Sequence, residues 1–411
     1  MRTYKTRLRN VTILAGSTTM LLATAGLAPA LPGMAAAFQD VPNAGLLVRM
    51  LLTLPALSGA AAAPFAGLLV DRWGRKPVIV VALLLYGLVG SAGFVLDSLA
   101  GILVSRLLLG LAMAGLASGF LTLVADYFTG ARLNQFLGYL GAFAGFAGVV
   151  FQALSGALAD IGWRFPFLLH LVAFVILLGV LVSIDEPQVR AQAQPQSTAP
   201  ERAALPFMAI GLIYAVALVG IGAVFVLIVH LPFYLISQAG VTNSQVGLAL
   251  SLQALPAGFI ALQYQRLRTR LSVQTIAAVA FLSLGISLVV AALTSSYALV
   301  VAGLLIGGIG LGLLPPNLIA WVVIVAPPAA RGRAVGGLNT ALFLGQFLAP
   351  LLTQPMIEQV GTAGSFGVVG GLSLLMAVVV YAAGGLQPLR PVPSPQSLAA
   401  NHPSSLSERK P

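Results

Sequence analysis

Apolar runs recur along the whole length of this chain, and they constrain its fold more than any other feature. Many of them reach the ~20 residues that an α-helix needs to cross the hydrocarbon core of a membrane. Only 8% of the 411 residues are charged, whereas 59% are hydrophobic. A soluble protein has about a quarter of its residues charged, so most of this chain must lie in lipid. The sequence therefore predicts an all-α integral membrane protein.

Short turns rich in Gly, Pro, Asn and Asp divide these runs into twelve predicted transmembrane helices. The longer polar segment 185–204 is rich in Gln, Ala and Pro and is typical of a flexible linker. It separates an N-terminal six-helix bundle, 1–184, from a C-terminal six-helix bundle, 205–386. Residues 387–411 are predicted to form a disordered cytoplasmic tail. The predicted spans are 11–37, 45–70, 78–96, 99–126, 134–158, 164–183, 205–236, 244–264, 272–294, 297–325, 333–357 and 363–385.

The first 37 residues also have the layout of a cleaved signal peptide, with a basic start, an apolar stretch and small residues after it. The apolar stretch from Val11 to Ala37 is, however, long enough to span a membrane. Its removal would leave an odd number of spans. We therefore expect it to be the first transmembrane helix.

The distribution of Lys and Arg predicts the orientation. All of them except Arg49, Arg106 and Arg164 fall on one side of the membrane if both termini are cytoplasmic. This bias predicts a multi-pass protein of the cell inner membrane with both termini inside. The net charge of +11 does not indicate nucleic-acid binding, because the basic residues lie in short turns between apolar runs. The chain has no cysteine, which excludes disulfides and thiolate metal sites.

The two halves of the chain resemble each other. "RLLLGLAMAGLASG" (106–119) can be aligned with "GLLIGGIGLGLLPP" (303–316), and "DRWGRKPV" (71–78) with "RLRTRLSV" (266–273). Six spans in each repeat suggest two bundles related by a pseudo-repeat, with a pathway between them.

One short turn concentrates charge in this apolar chain. The sequence "GLLVDRWGRKPV" (67–78) resembles the signature of the major facilitator superfamily between its second and third helices. "RLLLG" (106–110) resembles the fourth-helix motif of that superfamily, and "GALADIGWRFPF" (156–167) is similar to the join of helices five and six in its drug:proton antiporters. The Gly-Pro pair typical of helix five in those antiporters is absent, because Phe146 stands where proline would be expected. The resemblance covers about 8–388 and implies a twelve-helix transporter.

The charged turn has the residue types of a latch between the two halves. Its glycines allow close helix approach and a turn of positive φ, and its Asp71 can accept from the N–H groups that begin another helix. By resemblance that helix is the eleventh, which starts near 333–336, and Arg75 would bridge to Asp126. The alternative is a positively charged anchor on lipid phosphates, which would need neither the acid nor the glycines. The predicted latch residues are Gly67, Asp71, Arg72, Gly74, Arg75, Lys76 and Asp126.

Polar side chains within the spans are few. A buried ionisable group in a membrane is a functional hypothesis by default, and hydrogen bonding between helices is the alternative. For Arg106 the partners left open are Asp40, helix carbonyls, water, an anionic substrate group, or a purely structural tie between helices one and four. The candidates for substrate binding or coupling are Arg106, Asp40, Gln152, His170, His230, Gln253, Asn317, Asn339 and Gln346.

These patterns favour a secondary active transporter that works by alternating access. A membrane enzyme would need clustered acids, histidines or metal ligands, and a channel would show a ring of repeated polar residues. A mostly apolar pathway suits export of amphipathic small molecules or drugs. An uptake symporter or uniporter for a small metabolite is the alternative. Exchange for protons is a further hypothesis, with Asp40, His170 or His230 as carrier. We expect a monomer in the lipid bilayer, with a small-molecule substrate and no cofactor, metal or nucleic acid.

Overall fold

The computed structural model describes residues 2–186, 205–327 and 330–385. These residues form helices joined by short turns, and none of them lies in a β-strand. Most of the predicted linker and all of the predicted tail lie outside the described residues.

The first half of the chain forms six predicted spans, three of which are interrupted. Span one is α1 and α2, joined by a 3-10 turn that contains Pro29, and span two is α3 and α4. A 3-10 turn, Phe165–Leu171, precedes α8 in span six. The helices are α1 (Arg2–Ala25), α2 (Leu31–Ala37), α3 (Ala44–Met50), α4 (Leu54–Trp73), α5 (Arg75–Ser91), α6 (Leu99–Tyr127), α7 (Gly130–Ile161) and α8 (Val172–Ser183).

The second half begins with four uninterrupted helices: α9 (Phe207–Ala239), α10 (Asn243–Arg268), α11 (Val273–Leu293) and α12 (Tyr297–Val325). The last element, α13 (Arg331–Gly385), has 55 residues, which would reach about 80 Å if straight. It is instead two helices that meet at Gly361, where φ is 74° and ψ is 172°. The turn falls between the predicted spans 333–357 and 363–385.

The number of spans agrees with the sequence prediction. Eleven helices in the described residues are long and apolar enough to cross a membrane when α13 is counted once. The two arms of α13 raise the number to twelve. The chain is therefore an all-α membrane protein built from two halves of six spans each.

The helix bundle has two ends that differ in charge. The "basic end" is where α4 meets α5, α10 meets α11 and α13 begins, and it carries Arg72, Lys76, Arg268 and Arg331. The "far end" is the opposite end, where α6 begins, α7 ends and α10 begins.

The halves touch along α7 and α10, and the contact is closest at the far end. A Cβ added to Gly156 would lie 2.5 Å from the carbonyl oxygen of Asn243 and 3.0 Å from the Cα of Gly247. Small residues allow this backbone-to-backbone packing of helices in lipid. Nearer the basic end, a Cβ on Gly145 would lie 3.3 Å from the Cα of Gly258, and one on Gly141 would meet nothing within 4 Å. The two helices therefore diverge towards the basic end.

We expect Gly156→Val to disfavour the conformation with a closed far end, because the added side chain would collide with the α10 backbone. The chain has no cysteine, so a spin-label pair can be placed at Val95→Cys and Leu293→Cys. These positions are 70% and 80% exposed at the far end of opposite halves. Pulse EPR should show a longer distance with Gly156→Val than without it. Gly141→Val, on the same helix in open space, is the control, and an unchanged distance in Gly156→Val would contradict the packing argument.

Candidate functional site

The turn between α4 and α5 is shaped by a glycine and by an acid from far along the chain. Gly74 has φ 91°, the positive φ expected from the sequence. The backbone N–H groups of Arg75 and Lys76 donate to the two carboxylate oxygens of Glu186, each at 2.7 Å. A Cβ on Gly74 would lie 2.6 Å from one of those oxygens. Glu186 thus caps the start of α5, where a negative charge is favoured.

Further contacts tie together the basic end of the first half. The Nε–H of Arg75 donates to Asp126 at 2.9 Å, which is the pair expected from the sequence. Lys5 pairs with Asp185 at 2.7 Å, and its hydrogen bond holds the pKa of Asp185 below the usual value. The Tyr127 hydroxyl donates to the backbone carbonyl of Asp185 at 2.6 Å. All of these contacts lie within the first bundle and the first two residues of the predicted linker, so they stabilise the charged turn without joining the halves.

The latch contact itself is absent from this conformation. Asp71 is exposed and makes no hydrogen bond or ion pair within the described residues. Arg72 is also exposed. A Cβ on Gly67 would meet nothing within 4 Å, and the same holds for Gly336 near the start of α13. The expected approach of Asp71 to 333–336 is therefore not made here, because the halves diverge at the basic end.

Arg106 is fully buried and lies at the end of a neighbouring helix. Its Nη2 donates to the carbonyls of Gly90 at 2.6 Å and Val89 at 3.1 Å, in the last turn of α5. Its guanidinium carbon lies 4.9 Å from the ring centroid of Phe167. A cation near helix C-terminal carbonyls is favoured. Of the partners left open by the sequence, helix carbonyls bind Arg106, and the tie is to α5 rather than to span one. Asp40 is exposed.

His170 lies against the same turn of α5. Its Nδ1 is 3.1 Å from the carbonyl oxygen of Phe167. A Cβ on Gly90 would lie 2.6 Å from the Cβ of His170, so the glycine is needed for this approach. The structure thus brings together Arg106 and His170, two candidates that are far apart in sequence, inside the first half. One nitrogen of each side chain, Nη1 and Nε2, is buried without a partner among the described residues.

At the far end an acid of the first half meets a helix start of the second half. The Asp160 carboxylate accepts from the backbone N–H groups of Asn243 at 2.8 Å and Ser244 at 3.0 Å, and also from the Ser244 hydroxyl. The same helix start carries a capping box formed by Thr242 and Gln245. A carboxylate at a helix N-terminus is stabilised by the exposed N–H groups and the helix dipole. Asp160 therefore helps to hold the far end closed.

A second polar junction crosses between the halves at this end. The Nε–H of Arg49, on α3, donates to Nδ1 of His230, on α9, at 3.1 Å. Nη1 of Arg49 donates to the carbonyl of Gly45 at 2.6 Å, and its guanidinium carbon lies 4.1 Å from the ring centroid of Phe233. Nε2 of His230 lies 2.7 Å from the hydroxyl of Thr353, on α13. His230, a predicted binding or coupling residue, is thus part of the closed contact between the halves.

Sequence reasoning missed Glu186, Asp160 and Arg49. Asp160 had a usable signal, because it is one of only ten acids and stands at the end of a predicted span. The start of α10, Thr-Asn-Ser-Gln, also matches a capping pattern. For Glu186 and Arg49 we find no local signal that identifies the partner.

Asn317, one of the amide candidates, has the alternative role of joining helices. Its side-chain N–H donates to the carbonyl of Val273 at 2.8 Å, and its oxygen lies 3.2 Å from the Tyr264 hydroxyl. It therefore joins α12 to α10 and α11 within the second half. The remaining amides differ in exposure: Gln152 and Gln253 are buried, Gln346 is half-buried and Asn339 is exposed. Buried side-chain atoms of Gln152, Gln253 and Gln346 have no hydrogen-bond partner among the described residues.

An apolar crevice lies between α4, α5 and α6 in the first half. Its volume is about 460 Å³, and it is lined by residues such as Phe65, Trp73, Leu85 and Leu111. None of the side chains lining it is charged. This surface suits an aliphatic or aromatic group rather than a polar ligand.

We expect Asp160→Asn to open the far end more often, because asparagine keeps the shape but loses the charge at the helix start. Charges at helix termini contribute about 0.3–1 kcal/mol, which corresponds to a roughly two- to fivefold change in the ratio of open to closed molecules. The measurement is the distance distribution of the Val95→Cys and Leu293→Cys spin labels. Asp97→Asn is the control, because Asp97 lies at the same end but pairs with Arg164 of its own half. Equal distributions for both variants would show that Asp160 does not hold the halves together.

Arg106→Met should lower the free energy of unfolding by about 1–3 kcal/mol, because methionine fills part of the space but leaves the carbonyls of Val89 and Gly90 without a donor. Thermal unfolding of the purified protein in detergent, followed by intrinsic fluorescence, measures the change. Arg164→Met is the matched control, because Arg164 also donates to two backbone carbonyls, those of Phe94 and Leu96, but its side chain is 32% exposed. If Arg106→Met unfolds no earlier than Arg164→Met, Arg106 is not a structural tie.

Comparison with known proteins agrees with this architecture. The sequence pattern of the Major Facilitator Superfamily matches residues 13–242 and 213–410. The chain is similar to Multidrug resistance protein 1 of Bacillus subtilis (strain 168), with 26% identity over 188 residues, which are 45% of this chain and 48% of that protein. It is also similar to the Niacin transporter NiaP of Acinetobacter baylyi (strain ATCC 33305 / BD413 / ADP1), with 27% identity over 165 residues, 36% of this chain and 38% of that protein. The matches span about half or less of these relatives' length.

The fold can also be compared with solved structures. The crystal structure of a D-xylose-proton symporter superposes with a TM-score of 0.73 at 14% sequence identity, over 90% of this chain and 96% of that one. That likeness shows the fold, and the family pattern covers both halves of the chain. The twelve apolar helices in two halves, the charged turn at 67–78 and these matches show that the chain belongs to the Major Facilitator Superfamily of membrane transporters.

Proposed function

We propose that this transporter exports amphipathic small molecules across the cell membrane by alternating access. The observation that carries the alternating-access part of the proposal is the asymmetry of the interface, which is closed at the far end and diverges at the basic end. Under the positive-inside rule the basic end lies in the cytoplasm. The structure then corresponds to a conformation open to the cytoplasm, in which a substrate can enter between the halves from inside.

The chemistry of the interior supports an amphipathic substrate. The buried polar side chains in the described residues are amides, hydroxyls, two histidines and two arginines, and none is an acid. Both arginines donate hydrogen bonds to protein groups, Arg49 to His230 and Arg106 to the carbonyl of Gly90. An apolar interior with few polar groups suits an amphipathic substrate that has few polar groups of its own. The similarity to a multidrug resistance protein points the same way, whereas the similarity to a niacin transporter favours the second candidate, uptake of a small metabolite.

The latch residues fit a switch between two conformations. Glu186 and Asp126 hold the α4–α5 turn in place. Asp71, in the last turn of α4, is exposed at the basic end. When the basic end closes, Asp71 would meet the start of α13, as the resemblance implies. Asp160 makes the equivalent type of contact at the far end. We propose that the two contacts alternate, so that one forms as the other breaks.

Proton exchange would have no buried carboxylate as carrier among the described residues. His230 lies against Arg49, and His170 lies in the same cluster as Arg106, so a proton on either histidine would sit beside a second positive charge. Asp40 is exposed at the far end.

Purified protein in liposomes provides the test. We expect a lipophilic fluorescent cation such as ethidium to move faster across these liposomes than across protein-free ones. Radiolabelled nicotinate serves as the probe for the metabolite alternative, and a pH gradient is imposed in either direction to detect proton exchange. Transport of nicotinate without ethidium transport would replace export of amphipathic compounds by the second candidate.

Asp71→Asn should reduce the flux of the transported probe at least about tenfold if the latch contact contributes about 1.4 kcal/mol or more to closing the basic end. Thermal stability should stay unchanged, because Asp71 has no partner in the conformation described. Asp97→Asn, another exposed acid of the first half, is the control and should transport normally. Flux near the unsubstituted level in Asp71→Asn would disprove the latch.

A further inference from the structure

Arg49 and His230 form a junction whose protonation state can be assigned from geometry. An arginine Nε always donates, so Nδ1 of His230 must accept at 3.1 Å. A neutral imidazole then carries its proton on Nε2, which donates to the Thr353 hydroxyl at 2.7 Å. That hydroxyl in turn donates to the carbonyl of Ala349 at 2.6 Å. Each donor in this series of hydrogen bonds has an acceptor only if His230 is neutral.

The junction is buried and joins opposite halves. Arg49 is 8% exposed and His230 is 0% exposed. Arg49 forms no ion pair with any carboxylate among the described residues. It is the charged group that faces His230, while Thr353 on α13 and Phe233 on α9 are neutral neighbours. In the part of the chain that the structure describes, no acid pairs with this junction to compensate a second positive charge.

We infer that the Arg49–His230–Thr353 junction is a pH-sensitive gate, which lets the far end close only when His230 is neutral. A proton on Nδ1 would remove the acceptor for Arg49 and place two cations in direct contact inside the protein. Removing the charge conflict requires the halves to separate at the far end, because Arg49 belongs to one half and His230 to the other. Arg49 is thus a positioning residue for closure, and His230 is the residue that senses the proton.

His170 provides an internal comparison. It is also fully buried and also lies near an arginine. Its contacts with Phe167 and Gly90 lie within the first half. Opening the far end does not separate His170 from Arg106, so protonation of His170 would not be linked to that opening.

The inference rests on the alternating-access part of the proposed function. The size of the pH effect on the equilibrium between open and closed molecules follows from proton linkage. Once the far end opens, His230 faces water and takes up a proton near the ordinary histidine pKa of about 6.5. Since only the open form accepts this proton, acid shifts the equilibrium towards that form. The ratio of open to closed molecules should rise roughly 30-fold between pH 8 and pH 5. The effect should disappear at alkaline pH.

The test measures the far end directly in the full-length protein. The Val95→Cys and Leu293→Cys spin labels are read by pulse EPR in lipid nanodiscs between pH 8 and pH 5. The population at long distance should begin to grow as the pH falls below about 6.5 and should keep rising to pH 5. His230→Gln, which keeps an amide donor and acceptor but cannot titrate, should abolish the response. Arg49→Gln should weaken it, because the opposing cation is gone.

His170→Gln is the matched control and should respond to pH as the unsubstituted protein does. A distance distribution that does not change with pH overturns the inference, and so does a full pH response in His230→Gln. If His230→Gln fails to fold, the unsubstituted protein and Arg49→Gln decide the outcome by the same criteria. The readout needs no substrate. A pH response without flux of ethidium or nicotinate would therefore support the gate while contradicting the proposed substrates.

Discussion

The backbone contact between α7 and α10 is the constraint on which the rest of the structure depends. The two helices belong to different halves, and at Gly156 and Gly247 they approach so closely that neither position has room for a Cβ. Lipid provides no hydrophobic force to bring helices together, so packing and hydrogen bonds must do it. Close approach of the helices at one end, with divergence at the other, determines which polar groups can meet and which cannot.

The polar contacts follow from that geometry. Because the far end is closed, Asp160 reaches the start of α10, and Arg49 reaches His230. Because the basic end diverges, Asp71 has no partner, although the turn that carries it is well held by Glu186 and Asp126. Two acids of the first half, Asp71 and Asp160, thus lie at opposite ends, and only one of them is engaged with the second half. This arrangement is the basis of our proposal that the two contacts alternate.

Charged side chains in the first half bind to helix ends. Both ends of α5 are paired with charged groups: Glu186 accepts from its first N–H groups, and Arg106 donates to its last carbonyls. These pairings offset the cost of charge in an apolar protein without an acid–base pair. They also show that a charged residue within a span is not by itself evidence of a substrate site. Arg106, one of the candidates for substrate binding or coupling, is held inside one half by such contacts.

The sequence by itself determined the helical class, the twelve spans, the turn of positive φ at Gly74 and the pairing of Arg75 with Asp126. These follow from apolar run length, glycine chemistry and a short motif, all of which depend on neighbours in sequence or on a family resemblance. Only the tertiary structure decided that Glu186 caps α5, that Asp160 meets α10 and that His230 faces Arg49. Those contacts join residues about 80 to 180 positions apart. The Asp160 and His230 contacts depend on how the two halves are tilted against each other, and the Glu186 contact depends on how the helices of the first half pack. Periodicity and composition along one chain encode neither quantity.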